Sequence, residues 1–276
     1  MLRTRLILIL ITAAVVALIF FLPKVVVQSE SELASSPGSD STAAIANPAA
    51  HGTVSETTQA SIDDFRREFN QASQTGKTEK SSIFADSLWQ LYTSIGKYDS
   101  AAWFAENSAT FLKTTESYLR AGESYYEAYS YALEQDKQKQ LGAKARKYLG
   151  KALEANPKLY DAKAKMAMTF IGSGGPPMQG IVMLREVATD DPKNEFALFS
   201  LGMLSIQSQQ FDRAVDWLTK LVEAHPEHLQ GQVFLGVALA NAGEKEKART
   251  QFEKARKMTT DQSVIASIDT YLKDLK

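Results

Sequence analysis

An all-α solenoid of paired helices, set behind a single membrane-spanning segment and a flexible tether, is expected of this chain on three observations. From residue 61 onward apolar residues recur at spacings of three and four, with no alternating strand pattern. The same region repeats itself at a shift of 34: Leu201-Gly202 returns as Leu235-Gly236, Ala214 as Ala248, and Pro192 as Pro226. The chain also opens with an uncharged apolar run, Leu6 to Leu22.

That opening run, LILILITAAVVALIFFL, is 17 residues long with Arg3 and Arg5 before it and Pro23-Lys24 after it. This is the lower edge for a transmembrane helix and exceeds a usual signal-peptide core. A cleaved signal needs a small-x-small site directly after the run. PKVVVQ stands there instead, and Ala44-Ile45-Ala46 is too far downstream. Residues 1–27 therefore read as an uncleaved signal anchor. The two arginines place the N-terminus in the cytoplasm and the rest of the chain across the membrane, which is the periplasm in a bacterial host. Residues 28–60 are rich in Ser, Ala, Thr, Gly and Pro and carry acids but no Lys or Arg. Such a stretch cannot bury enough apolar surface to offset its ordering entropy, so it is expected to be a disordered tether spanning about 30 Å. Residues 61–79 hold a short leading helix over 62–73, and a solenoid of about five repeats fills 80–261. QSVIASIDTYLKDL within 262–276 has the amphipathic pattern of a cap helix, which solenoid ends need.

A period of 34 accommodates two antiparallel helices and two short turns. The slots are filled in the same order each time. The last unit shows Leu235, Gly236, Gly243, Ala248, Phe252 and Ala255, and the one before it Leu198, Leu201, Gly202, Ala214, Leu218, Leu221 and Pro226. A third has Met166, Ala167, Phe170, Gly174, Gly180, Leu184, Val187 and Pro192, and a fourth Tyr118, Gly122, Tyr125, Ala145, Leu149, Ala152 and Pro157. The first has Leu88, Tyr92, Gly96, Ala101 and Ala105. The pattern resembles the tetratricopeptide (TPR) repeat, whose small residues let helix A and helix B approach closely. The small helix B slots fall at 101, 145, 180, 214 and 248, so one unit is about ten residues too long. The excess is expected near EQDKQKQ (134–140), with a long helix A over about 115–135.

Composition narrows function. Net charge is -1, which gives no reason to expect nucleic acid, and the absence of cysteine removes disulfides, thiolate metal sites and a cysteine nucleophile. No nucleophile elbow, zincin or P-loop motif occurs, so neither a catalytic set nor a cofactor is expected. His225 and His228 in AHPEHLQ read as residues of a repeat boundary rather than a metal pair. IGSGGPPMQG (171–180) has the glycines of a phosphate loop, but it follows a helix, lacks lysine and places Pro176-Pro177 where N–H donors would be needed. Its register reads as a turn: Gly174 in the turn slot, Pro177 opening helix B, Gly180 as the small packing residue.

Binding is expected on helix A. In EFALFSLGMLSIQ (195–207) one stripe, Leu198, Leu201 and Gly202, serves repeat packing, while Phe196, Phe199, Met203 and Ile206 form a second at spacings of 3, 4 and 3. The resemblance places that second stripe on a concave, peptide-binding groove. Equivalent slots are Ala164, Met168 and Ile171 before it and Val233 and Val237 after it. Nearer the N-terminus the slots turn polar, with Asp86, Gln90, Glu116 and Glu123. The carboxylate clamp of TPR co-chaperones is missing, because its slots hold Asp86, Leu119, Ala164, Phe199 and Val233. The function expected is a non-enzymatic, membrane-anchored scaffold that grips an apolar or amphipathic segment of a protein partner, in bacterial envelope assembly. The alternative is a solenoid that self-associates through the same stripe as a homo-oligomer.

Overall fold

The computed structural model describes residues 54–275, and every element in that range is an α-helix. The predicted span at 6–22 and most of the tether lie outside the described residues. Among the described residues, no helix is long and apolar enough to cross a membrane. The twelve helices are α1 (Glu56–Gln74), α2 (Thr78–Ser94), α3 (Tyr98–Leu112), α4 (Thr115–Tyr131), α5 (Gln135–Ala155), α6 (Tyr160–Gly172), α7 (Pro177–Asp190), α8 (Glu195–Gln207), α9 (Phe211–Ala224), α10 (Leu229–Asn241), α11 (Lys245–Lys257) and α12 (Gln262–Asp274).

From α2 to α11 the helices form five antiparallel pairs, each packed on the pair before and after. The even-numbered members are the A helices and the odd-numbered ones the B helices. Small residues set the separation within a pair. A Cβ on Gly202 would lie 2.7 Å from the Leu218 side chain, and one on Gly236 2.7 Å from Phe252, so each large B-helix side chain occupies the space an A-helix Cβ would need. The core follows the predicted packing stripe: Leu198, Leu201, Leu218, Leu221 and Phe252 are all buried.

Two differences from expectation have local causes. First, α1 starts at Glu56, inside the segment read as tether, and runs to Gln74 rather than over 62–73. Its polar N-terminal turns are held by side chains four residues apart, Gln59 to Asp63 and Ser61 to the Thr57 carbonyl. Second, the long helix A predicted over 115–135 ends at Tyr131, and most of the excess lies in helix B. Ala145 is far into α5, whereas its counterparts Ala214 and Ala248 lie in the first turn of α9 and α11. Ala132 is extended at φ -73, ψ 128, and its carbonyl accepts from Gln138 at 2.7 Å, which ends α4 and lets the polar run after it begin α5 early. The leading helix also joins the core: Phe69 meets Phe104 edge-on at 5.4 Å, and Phe104 stacks on Tyr92 at 5.5 Å.

At the other end, α12 covers the last pair. Ile268 is fully buried, Tyr271 stacks on Phe252 at 5.1 Å, and Arg256 reaches Asp269 at 2.7 Å. Asp261 caps the helix by accepting from Ser263, and those hydrogen bonds hold its carboxyl below the usual range.

Candidate functional site: the inner face of the A helices

Successive A helices touch one another, α4 on α6, α6 on α8 and α8 on α10, so their side chains form one continuous face. Among the described residues, the helices packed most closely on α6, α8 and α10 are adjacent B helices and neighbouring A helices, and α12 packs on α11. The predicted stripe is found there. Met168, Ile171, Phe196, Phe199, Met203, Ile206, Val233 and Val237 are each half-buried. Ala164 is fully buried and offers no surface. It belongs to the core cluster with Leu184 and Val187 of α7 and Ala197 and Leu201 of α8, and nearby Tyr126 on α4 meets Phe196 on α8 edge-on at 6.0 Å. Phe199 in turn touches Phe234 at 5.9 Å and the His228 ring at 5.2 Å.

The N-terminal part of this face is built differently. Arg120 on α4 pairs with Asp86 on α2 at 2.6 Å, and its guanidinium lies 4.9 Å from the centre of the Trp89 ring. Trp89 donates its indole N–H to Ser124 at 2.9 Å. One pair further on, Lys165 on α6 meets Glu123 on α4 at 2.5 Å. Sequence reasoning missed Arg120, Lys165 and Phe234 as contributors. Each stands one position after a slot it singled out, Leu119, Ala164 and Val233. A stripe traced at spacings of three and four omits that position, although it borders the same face.

A second polar cluster ties the long pair to the one before it. Glu106 on α3 accepts from the Tyr148 hydroxyl at 2.8 Å, from Lys144 at 2.8 Å, and from the Tyr125 hydroxyl. Burial alone would raise the Glu106 carboxyl, but these three donors hold it below the usual carboxylate range. Burial, and then the hydrogen bond to Glu106, push the Tyr125 and Tyr148 hydroxyls upward, so both remain protonated donors. Burial also pushes Tyr126 up to about 12. With Tyr125 and Tyr148 buried, the cluster acts as a strut and not as an accessible acid–base site.

The remaining sequence candidates resolve locally. Gly174 is left-handed at φ +76, Pro177 opens α7, and a Cβ on Gly180 would sit 2.4 Å from the Ala167 carbonyl, so IGSGGPPMQG is a turn followed by a close helix contact. His225 and His228 flank the α9–α10 turn and both face Glu195, at 3.7 and 3.3 Å. Among the described residues, no group of three or more His, Asp or Glu is placed to hold a metal. A cavity of about 300 Å³ lies elsewhere, against the outer side of α7, lined by Lys163, Val182, Arg185, Glu186, Thr189 and Asp190.

No family model matches the chain, and no curated protein matches it. Solved structures do. MamA from Desulfovibrio magneticus RS-1, residue 41 to its end, superimposes with a TM-score of 0.51 at 15% identity, over 66% of this chain and 96% of that one. A MamA RS-1 ArsTM double mutant gives 0.50 at 16% identity, over 64% and 93%. YrrB, described as a TPR protein with an unusual peptide-binding site, gives 0.47 at 19% identity, over 73% and 97%. This chain is a TPR-like helical solenoid. At such identities the likeness is one of fold, and what the inner face does must be argued from its own residues.

Proposed function

We propose that the protein is a non-enzymatic scaffold whose inner face binds an apolar or amphipathic segment of a protein partner. One observation carries this reading. The A helices of the last three pairs present a run of half-buried apolar side chains, Phe199, Met203, Ile206, Val233 and Val237 among them, on helices that touch one another in succession. A stripe of this kind retains apolar area that water leaves favourably, and the flexible methionines adapt to different side chains. The scaffold is held at the inner membrane by residues 6–22, with its N-terminus in the cytoplasm and the solenoid in the periplasm, and it serves envelope protein assembly. The charge asymmetry around the apolar run and the absence of a cleavage site behind it support that placement.

A photo-crosslinking residue at Met203 of the full chain, in native membranes, tests the binding face. A discrete adduct is expected, absent when the crosslinker stands at Arg213 on the outer side and lost when Phe199→Glu is added. Crosslinking equally efficient at Met203 and Arg213 overturns the reading. An adduct of twice the chain mass, together with concentration-dependent light scattering, assigns the stripe to a homo-oligomer instead.

A further inference from the structure

The joint between the fourth and fifth pairs holds two histidines and one carboxylate whose hydrogen bonds dictate where protons sit. The Gly231 amide donates to Nδ1 of His228 at 2.8 Å, so that nitrogen is unprotonated and the ring acts as the N-cap of α10. The neutral ring therefore carries its hydrogen on Nε2, 3.3 Å from Oε1 of Glu195 in the first turn of α8. His225 is arranged the opposite way. Its Nε2 lies 2.7 Å from the Lys193 carbonyl, which can only accept, so Nε2 bears the hydrogen and Nδ1 is free. That Nδ1 faces Oε2 of Glu195 at 3.7 Å and Oε1 of Glu227 at 4.0 Å.

The two rings must respond to a proton in opposite senses. A proton on His225 enters at Nδ1, between two carboxylates, and leaves the bond to Lys193 intact. A proton on His228 also enters at Nδ1, where it abolishes the cap and puts a cation at a helix N-terminus, against the dipole. Glu195 is the one carboxylate within reach of both, and a charged His225 draws it away. Two apolar groups also lie at this joint: Phe199 of α8 touches the His228 ring, and Leu221 of α9 lies across the capped Gly231. Asp191, in the preceding turn, is held by the Lys193 amide and Asn194.

We infer that this joint is a proton-sensitive hinge, in which protonation of His228 uncaps α10 and frees the Phe199 ring on the inner face. The inference stands whatever the inner face binds. It places the switch at the residue where the binding stripe passes from α8 to α10.

The test is amide hydrogen exchange at Gly231 in the full chain between pH 7.5 and 5.5, corrected for intrinsic exchange. Loss of an N-cap predicts that opening becomes about fivefold easier at the acid end. His228→Asn keeps a capping acceptor that does not titrate, and is expected to keep Gly231 equally protected at both pH values. His225→Gln keeps the donor to Lys193 and is expected to retain the pH response. Constant protection in the native chain, or an unchanged response in His228→Asn, overturns the hinge.

Discussion

The first two pairs, α2 to α5, and the last two, α8 to α11, use one architecture, with Leu149 over Gly122 matching Leu218 over Gly202, but differ in chemistry on the inner face. In the last two, apolar contacts fill the gap within each pair, beside the His228–Glu195 contact and the bond that Gln251 donates to the buried Gln232. Leu218 fills the gap over Gly202, Phe252 the gap over Gly236, and the inner face is left to Phe199, Val233 and Val237. In the first two, ion pairs and aromatic rings span the inner face, and Glu106 gathers two tyrosines and a lysine within the bend between pairs. The pair that departs from the 34-residue spacing is the one that carries the polar strut. Longer helices meet over more surface, but extra polar residues such as those at 135–140 add no core, so additional specificity has to come from directional bonds. The regular pairs carry such bonds at single points, Gln251 to Gln232 and His228 to Glu195, and their A helices present apolar surface beside them.

The largest effect expected from breaking this contrast is on the apolar side. Leu218 is fully buried against Gly202, and Leu218→Ala leaves a cavity that the close helix pair cannot collapse into. A loss of about 2–5 kcal/mol is expected in urea denaturation, and it should be the same at pH 7 and pH 4 because no titrating group is involved.

Glu106→Gln is the matching change on the polar side. The neutral amide cannot serve as acceptor to two hydroxyls and an ammonium together, so a loss of about 1–3 kcal/mol is expected at pH 7. Here the pH dependence carries the information. The Glu106 carboxyl titrates lower in the folded chain than a free carboxylate does, so its contribution is fully present above the ordinary value. That contribution disappears as pH falls through the depressed one. The difference between Glu106→Gln and the native chain should therefore narrow below about pH 4. A difference that stays constant down to pH 3 would show that packing, and not the carboxylate, holds the bend.

These two positions also show what the sequence makes legible. The repeat spacing, the small residues at 202 and 236, the buried stripe and the turn at Gly174 follow from chain-local patterns, because each is set by partners one helix away at a fixed offset. Ala164 could not be judged that way. It joins the core that Leu184 and Val187 of α7 form with Ala197 and Leu201 of α8, and nothing in the local spacing of α6 reports how closely the next pair packs on it. The same applies to Arg120 and Lys165, whose partners Asp86 and Glu123 stand 34 and 42 positions back. The early start of α5 was obscured for another reason. Residues 135–140 are good helix formers with no apolar periodicity, so propensity permits a helix there without assigning it to A or B.

The smallest expected effect sharpens the regular side. Both of its A-to-B turns place a residue in the left-handed region, Gln209 at φ +58 and Gly243 at φ +86, as the third pair does with Gly174 at φ +76. A side chain in that region is strained by its own Cβ, whereas glycine adopts it freely but loses more entropy on folding. Gln209 is exposed, so replacing it removes no core contact. Its amide bond to the Ile206 carbonyl at 2.9 Å comes from the backbone and survives the change. Gln209→Gly is therefore expected to gain about 0.5–1 kcal/mol, and Gly243→Gln, at a turn with nothing within 4 Å of the added Cβ, to lose about as much. Equal and opposite shifts in denaturation midpoint would establish that the two turns are interchangeable and that conformation alone selects their residue. A loss in Gln209→Gly would mean that the Gln209 side chain stabilises its turn in a way that glycine at 174 and 243 cannot.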